Sequence, residues 1–373
     1  QNPAGPEFVR TVDNSVKSAL AQLSTKLVTD HDIPLEQAPD AVSLEAKGIL
    51  SNIVRMVDAD EQLERNTDLI LEHFPVCTTS LLSVGTSLPC QSALFDLVIF
   101  DEAAQFNFIA ALPILFRAKR AAIIGDPQQL QPVGGYAQAA IDQTSFVCNL
   151  PNKLRTRFNL NHTLYDFAHY CYAYHTQEQG QQEGLPELIL RQNRRSVANI
   201  VTYISQSFYQ GQLAASRKVV PQELANHNQL LDSFDLGFNF IAVPDSMPEQ
   251  RRSSRFCPQE VAKTIELLRT LAQESYHGTI GVIAPYRAHV DELNAKLRAE
   301  PEFARLKLEI DTVHRFQGKD CDTIIYNLCL SPSSQNEFAT NLHIINVALS
   351  RARDYLFVVG NPSALLMRSH IPY

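Results

Sequence analysis

Apolar and polar positions follow two different spacings along the first half of the chain, and each spacing predicts a different element. Apolar residues at helical spacing predict helices within residues 13–74. Short, mostly apolar runs at 95–100 and 120–125 predict buried strands, with a helix over 106–116 between them. A strand, a helix and a second strand in this order form the repeating unit of a parallel sheet.

The same pattern starts again after a polar, glutamine-rich segment at 177–184, which we interpret as a linker between domains. Strands and helices of 10 to 15 residues alternate beyond it, which is typical of a doubly wound parallel sheet. The sequence therefore predicts an α/β protein with domains at 1–184 and 185–373. The predicted strands are 188–190, 238–243, 279–284, 308–313, 323–326 and 355–359, and the predicted helices are 197–208, 258–274, 288–297 and 342–353.

Composition and charge narrow the classes of function. The chain has 373 residues, 45% of them hydrophobic, and its net charge of −8 excludes a uniformly basic protein but leaves room for a local basic groove. Seven scattered cysteines without a C-x-x-C pair predict reduced thiols, not disulfides or a zinc site. We find no long apolar run and no signal-peptide pattern, so we expect a cytoplasmic protein that makes no membrane contact.

Polar residues suited to phosphate chemistry follow both predicted strands of the first half. Asp101 can hold Mg²⁺, and Glu102 can polarise an attacking water. Gln129, after the second strand, can orient a water or touch a terminal phosphate without burying another charge. Each segment alone could be an ordinary solvated loop. Two such strand ends close together in the sequence favour a ligand site at this edge of the sheet.

Two junctions in the second half can bind anions or form polar turns. Arg194 lies just before a predicted helix that Ser196 is placed to cap, and an arginine there suits an anion or a solvated basic turn. Thr312 and Gln317 offer neutral hydrogen bonds to phosphate or ribose, and Gly318 permits an unusual φ. The alternative without a binding role for this second junction is a polar turn with one buried phenylalanine.

A third junction places two arginines on the predicted helix 342–353. Arg351 and Arg353 are two residues apart, so on a helix they point in different directions. We therefore expect only one of them to reach a nucleotide and the other to serve the structure.

Taken together and in this order, the motifs resemble those of the Upf-like branch of superfamily 1 helicases. The resemblance extends over residues 78–361. It rests on Asp101-Glu-Ala-Ala-Gln105, Gly125-Asp-Pro-Gln-Gln-Leu130, Gln192-Asn-Arg194, Phe208-Tyr-Gln-Gly-Gln-Leu213, Ala284-Pro-Tyr-Arg287, Thr312-Val-His-Arg-Phe-Gln-Gly-Lys-Asp320 and Asn346-Val-Ala-Leu-Ser-Arg-Ala-Arg353.

The resemblance implies RecA-like domains of the P-loop NTPase type, with ATP and Mg²⁺ between them, and 5′→3′ movement along one nucleic-acid strand. It implies that Asp101 ligates Mg²⁺, Glu102 is the catalytic base and Gln129 senses the terminal phosphate, while Arg194 and Arg351 supply positive charge to the transition state. It places Gln105, Gln317, Gly318 and Asp320 near the nucleotide, and Thr78, Thr79, Pro285, Tyr286, Arg287 and Thr312 near single-stranded DNA or RNA.

The sequence departs from the family pattern in one large respect, because it contains no phosphate-binding G-x-x-x-x-G-K-[ST] loop. Smaller departures are Asn193 in place of a base-stacking tyrosine and Asp320 in place of glutamate. We predict that the chain is the C-terminal part of a longer helicase, with a truncated first RecA-like domain and a complete second one, inactive until the upstream part supplies the Walker A loop. The alternative is a degenerate helicase core that binds nucleic acid or protein without catalysis.

Overall fold

The computed structural model describes residues 75–132, 137–149, 161–178, 189–218, 234–298, 300–332 and 338–366, and the isolated positions 67, 71 and 159. These residues form two compact units. The first contains the described residues up to Asp126 and those between Pro132 and Leu185, and the second contains Pro127–Gln131 and those from Pro186 onwards. The Gly125-to-Leu130 motif is thus divided between the two units. The predicted helices within 13–74 lie outside the described residues, apart from positions 67 and 71, which are helical.

The first unit has a small parallel sheet covered by helices. Val98 pairs with Ala121 and Phe100 with Ile123, as the predicted strand–helix–strand unit requires. The elements are α1 (Val84–Ser87), β1 (Val98–Phe100), α2 (Phe108–Phe116), β2 (Ala121–Ile123), α3 (Gln138–Val147) and α4 (Leu164–Glu178). Asn107 begins α2, because its side chain accepts a hydrogen bond from the Ile109 amide at 2.8 Å. Phe108 then stacks on Phe167 of α4, with the ring centroids 4.8 Å apart, and fixes the two helices over the sheet.

The second unit is built on a five-stranded, fully parallel sheet. The elements of this unit are β3 (Gln192–Asn193), α5 (Ala198–Phe208), β4 (Ala214–Ala215), β5 (Gly237–Ala242), β6 (Glu249–Arg251), β7 (Ser254–Phe256), α6 (Pro258–Gln273), β8 (Thr279–Ala284), α7 (Arg287–Leu297), β9 (Lys307–Thr312), β10 (Cys321–Asn327), α8 (Leu342–Leu349), β11 (Ala352–Gly360) and α9 (Pro362–Leu366). The strand order in the sheet is β5-β11-β10-β8-β9. Two short pairs, β3 with β4 and the antiparallel hairpin β6–β7, lie outside this sheet.

Both faces of the sheet in the second unit are buried, as a doubly wound fold requires. Ile324 of β10 packs into a cluster with residues of α5 and α8, while its neighbour Ile325 packs into another with residues of α6 and α7. This is why the strands read as nearly continuous apolar runs. Between β9 and β10 the chain crosses β8, which lies between these two strands in the sheet, and there the buried Phe316 ring lies over Gly281. A Cβ on Gly281 would come within 2.6 Å of that ring.

The predicted α/β class with parallel sheets is confirmed, and most predicted elements are found within a few residues of their predicted bounds. Two predictions are wrong. Ile189 and Leu190 are not in a strand, which begins at Gln192 instead. The predicted helix 342–353 ends at Leu349, because the chain enters the buried strand β11 at Ala352. Burial of β11 overrides a helical pattern there that has no glycine or proline to end it.

Candidate nucleotide and nucleic-acid sites

The first unit presents its two acids on a tight turn directly after β1. The Glu102 amide donates to Asp101 Oδ1 at 2.9 Å, and Glu102 itself has a left-handed backbone with φ of +54°. A left-handed conformation is uncommon for a residue with a side chain, and it persists where the surroundings enforce it. Here they do, since the next amide, of Ala103, donates to the Ile124 carbonyl at 2.8 Å. The turn therefore projects both carboxylates from the carboxyl end of the sheet.

Gly125 makes this turn possible. A Cβ on Gly125 would lie 2.9 Å from the Ala104 amide nitrogen and 3.0 Å from that of Ala103. On the same turn, the side-chain amide nitrogen of Gln105 is buried and has no hydrogen-bond partner among the described residues. A buried donor without an acceptor is costly unless a ligand or water supplies one. The donor fits the nucleotide contact that the resemblance implies for Gln105.

The carboxylates of Asp101 and Glu102 are as many protein ligands as a magnesium site usually requires. Mg²⁺ is usually held by one or two carboxylates together with substrate phosphates and water. Within the described ranges, no group of three or more His, Cys, Asp or Glu side chains is arranged to hold a metal ion by itself. Asp101 and Glu102 are the two carboxylates that this turn offers to such an ion.

Thr78 and Thr79 are placed in an exposed, irregular segment that precedes α1. The Thr79 hydroxyl donates to the neighbouring Ser80 carbonyl at 3.3 Å. Both hydroxyls are at the surface, where a nucleic-acid strand could reach them.

In the second unit, the structure brings Gln129 and Arg351 into direct contact. Nη2 of Arg351 donates to Gln129 Oε1 at 3.0 Å, and Nε donates to the Val347 carbonyl at 3.1 Å. Arg351 is only 3% exposed, although it lies in the turn after α8 and not on the helix as predicted. The resemblance gives Gln129 and Arg351 roles at the same phosphate. The structure makes them neighbours, although they are 222 positions apart in the sequence.

Asn346, one turn of helix before Arg351, secures this arrangement. Its Nδ2 donates to the Gln128 carbonyl at 2.8 Å and to the Tyr209 hydroxyl at 2.9 Å. Asn346 and Tyr209 lie inside the motifs that carry the resemblance, but neither was assigned a role from the sequence. An asparagine within the otherwise apolar run 344–349 was the available signal in the sequence, since an amide buried in such a run must find partners.

Arg194 is adjacent to the same turn but is held differently. Its neighbours bind the Arg351 turn, because Ser196 Oγ donates to the Ala352 carbonyl at 2.6 Å and the Val197 amide donates to the Arg353 carbonyl at 2.9 Å. Ser196 is therefore not the predicted helix cap, and Val197 occupies that position. The Arg194 side chain is exposed, and no partner is seen for it in the described part of the chain.

Gln317, Gly318 and Asp320 follow β9 in the crossing segment. Gly318 has the predicted unusual backbone, with φ of +75°, and open space around its α-carbon. The buried Nε2 of Gln317 has no partner among the described residues, as for Gln105. Asp320 is instead bound to protein, since its Oδ2 accepts from Arg353 Nε at 2.5 Å. Arg353 thus takes the structural role predicted for one of the two arginines, and this pairing raises its pKa.

The residues assigned to the nucleic acid in the second unit meet at the carboxyl ends of two paired strands. Pro285, Tyr286 and Arg287 follow β8, and Thr312 ends β9, where it pairs with Ala284. Nη1 of Arg287 lies 3.3 Å from Asp311 Oδ1. Pro285 and Tyr286 are buried against the core, so it is Arg287, with the half-buried Thr312, that this edge presents to solvent.

A buried polar cluster lies behind this edge, and sequence reasoning missed it. The cluster consists of Ser246, Cys257, Glu260, His289 and Cys329. Glu260 accepts from Ser246 Oγ at 2.5 Å and from the Cys329 amide at 2.8 Å, while His289 Nδ1 lies 3.0 Å from the Cys329 sulfur. Burial raises the pKa of Glu260 to about 7 and lowers that of His289 to about 3. Separate residues on four elements gave no sequence signal for it.

Two general expectations were also examined in the structure. All seven cysteines lie in described segments and are free thiols. Among the helices that the structure describes, none is long and apolar enough to cross a membrane.

Comparison with known proteins was made for both units. Two family profiles, each described as an AAA domain, match residues 173–363 and 13–134. Helicase sen1 of Schizosaccharomyces pombe is 26% identical over 307 residues, which is 79% of this chain and 16% of that protein. Probable helicase senataxin of Mus musculus is 26% identical over 339 residues, which is 86% of this chain and 12% of that protein. The chain therefore spans a small part of these relatives.

Solved structures of helicases are similar at a lower level. The arterivirus nonstructural protein 10 helicase in complex with DNA is 17% identical, with a TM-score of 0.32 over 70% of this chain and 39% of that one. The C-terminal domain of a possible DNA helicase from Lactobacillus is 16% identical, with a TM-score of 0.30 over 47% of this chain and 92% of that one. One family profile alone covers about half of the chain, and the relatives carry helicase names, so the chain belongs to the AAA domain family within the Upf-like branch of superfamily 1 helicases.

Proposed function

We propose that this chain is the part of an ATP-dependent nucleic-acid helicase that carries the hydrolytic acids, the phosphate-sensing glutamine and the transition-state arginines. The observation that carries the proposal is the 3.0 Å hydrogen bond between Arg351 and Gln129. A buried guanidinium that donates to a neutral amide brings a positive charge and planar hydrogen-bond donors to the position where an anion would bind. Phosphate oxygens that develop charge during phosphoryl transfer are the anions that such a pair suits.

Each side chain has a separate task in this proposal. Glu102 accepts the proton of the attacking water, and the Gln129 amide orients that water. Arg351 and Arg194 stabilise the charge that develops on the transferred phosphoryl group. Asp101 ligates Mg²⁺, which when bound neutralises phosphate charge. The unpartnered donors of Gln105 and Gln317 bind the nucleotide, with Gly318 and Asp320 in the adjoining segment.

The nucleic acid in this proposal is a single strand of DNA or RNA held through its backbone. It contacts the exposed segment at Thr78 and Thr79 and the sheet edge formed by Pro285, Tyr286 and Arg287 with Thr312. Movement is 5′→3′, as in the family branch. We further propose a cytoplasmic location and a Walker A loop supplied by an upstream part of the same protein. The small share of each relative that this chain spans supports that last point.

Hydrolysis by two lengths of the protein tests the proposal. The 373-residue chain should show no ATPase activity with single-stranded nucleic acid, because the loop that supplies most phosphate contacts is absent from its sequence. A longer protein that includes an upstream Walker A loop should hydrolyse ATP, and Glu102→Gln should abolish this. Robust turnover by the 373-residue chain that Glu102→Gln abolishes would refute the proposed dependence on the loop.

The arginine assignment has its own control in the longer protein. Arg351→Ala should lower the hydrolysis rate by about 10³-fold or more, the scale of arginine fingers, and weaken strand binding only slightly. Arg353→Ala is the matched control, since its guanidinium is engaged with Asp320. Equal losses of hydrolysis and strand binding in Arg351→Ala would remove the assignment.

One observation favours a second candidate, a helicase core that binds nucleic acid or protein without catalysis. Asn193 stands where the family has a base-stacking tyrosine, and its Oδ1 is used within the chain, accepting from the Arg195 and Ser196 amides at 2.9 and 3.0 Å. Its side chain thus shapes a turn. If the longer protein binds single strands but hydrolyses no ATP, this candidate replaces the first.

A further inference from the structure

An arginine-rich hairpin is attached to the sheet edge described above, and none of the motifs includes it. Strands β6 and β7 form this hairpin, which carries Arg251, Arg252 and Arg255 and one acid, Glu249. Ser254 Oγ accepts from the Ala288 amide at 3.1 Å, in the first turn of α7, one residue after Arg287. The Cys257 amide, just past β7, lies 3.3 Å from Nδ1 of His289. The hairpin is therefore fixed beside the start of α7.

The two faces of the hairpin differ in charge. In the antiparallel register Arg251 pairs with Ser254, and Gln250 pairs with Arg255, so these pairs point to opposite faces. On the inner face, Arg251 is neutralised by Glu292 of α7 at 2.9 Å and lies over the Phe256 ring at 4.0 Å. The charge of Arg251 is thereby committed to holding the hairpin on α7.

The outer face keeps its charge. Arg255 points to this side, and Arg252 occupies the exposed turn with a left-handed φ of +55°. Neither side chain has an acidic partner among the described residues. Gln250 supports the turn by donating from Nε2 to the Arg252 carbonyl at 2.5 Å. A positive φ is ordinary in a two-residue hairpin turn, and here it places Arg252 at an exposed tip.

We propose that the outer face of this hairpin, Arg252 with Arg255, binds the sugar-phosphate backbone of the single strand and extends the contact surface beyond Pro285–Arg287. The inference rests on the proposed function, because it takes the same strand as partner. Unpaired arginines bind phosphates through charge and planar hydrogen bonds and need no base identity. They also supply net positive charge that the edge itself lacks, since Arg287 is balanced by Asp291 and Asp311.

The test is the salt dependence of strand binding by the full 373-residue chain, with labelled oligo-dT and oligo-U as probes. Each phosphate contact on a single strand contributes about 0.7 to the slope of log K against log salt. R252N/R255Q should therefore reduce the slope by about 1.4 and weaken binding at low salt at least several-fold. Asparagine suits the left-handed turn, so this variant should fold. R252K/R255K keeps both charges and should keep most of the slope.

R298Q/R305Q is the matched control. It also removes two positive charges, from exposed positions at the far end of α7 and before β9. Its affinity for the oligonucleotides should stay close to that of the unaltered chain. Equal weakening by the control, or an unchanged slope in R252N/R255Q, overturns the inference. Binding of polyglutamate in place of the oligonucleotides, with the same dependence on Arg252 and Arg255, also overturns it. Failure of the unaltered chain to bind either strand refutes the proposed function itself, and the inference falls with it.

Discussion

The two units carry motifs of the same family on sheets of very different depth. In the second unit the central strands β10 and β11 are buried along most of their length, and Phe357 is fully buried. In the first, β1 and β2 have three residues each, and Ile99 remains 44% exposed. Two paired strands alone are marginally stable, whereas helices over both faces of five strands bury a continuous core. Within the described residues, the acids of the first unit therefore have a smaller packed support than the arginines of the second.

The largest expected difference in the free energy of unfolding comes from replacing one phenylalanine by alanine in each unit. Phe357→Ala should destabilise the second unit by about 3–5 kcal/mol, because it leaves a cavity in a packed core. Phe116→Ala, at the 51% exposed end of α2, should cost well under that, about 1 kcal/mol or less. Urea denaturation, monitored by amide hydrogen exchange in each unit separately, measures the loss of stability in both variants. Similar losses in the two variants would show that Phe116 is packed as deeply as Phe357.

A pH dependence should belong to the second unit, through Glu260. Burial raises the Glu260 pKa to about 7, so the folded state holds this proton more tightly than the unfolded state. The stabilisation it contributes is complete below about pH 4.5 and is lost as pH rises to about 7, by at most about 1.4 kcal/mol per pH unit.

Comparison with Glu260→Gln isolates this contribution. His289, with its pKa lowered to about 3, acts in the opposite sense between about pH 3 and 6.5, but it is present in both proteins. The stability of the unaltered chain minus that of Glu260→Gln should fall between pH 4.5 and 7 and then level off. A difference that does not vary with pH would mean that Glu260 titrates normally. The Cys257 and Cys329 thiols beside it have raised pKa values and stay neutral throughout this range.

The smallest effect is local and falls on the turn of the first unit. Gly125→Ala would place a Cβ 2.9 Å from the Ala104 amide, and an overpacked contact of this kind costs about 1–3 kcal/mol. We expect faster exchange of the Ala103 amide, whose acceptor is the Ile124 carbonyl, with little change in β10 and β11. Gly211→Ala is a control for glycine replacement in open space, although its φ of +78° adds local strain in its own turn. An unchanged Ala103 amide would mean that the turn adapts without loss.

Much of the fold followed from the sequence, because local pattern and burial agree there. Thr279–Ala284 is an uninterrupted apolar strand with the predicted bounds, and Pro258 starts α6 at the position where proline fits a first turn. The site was predictable only as a set of motifs. Where a motif spans two elements, as Asn346 to Arg353 does, the helical pattern continued past the true end of α8 at Leu349.

The sequence by itself determined the order of the strands and helices, the family and the types of side chain at each strand end. Tertiary structure alone decided which of those side chains meet. Arg351 reaches Gln129 because β11 begins beside the turn that follows α8, and Asp320 is bound by Arg353 because β10 and β11 start side by side. It also gathered Glu260, His289 and Cys329 into one buried cluster. Contacts over such sequence distances depend on strand register and sheet order, which burial of the whole core sets and no local pattern encodes.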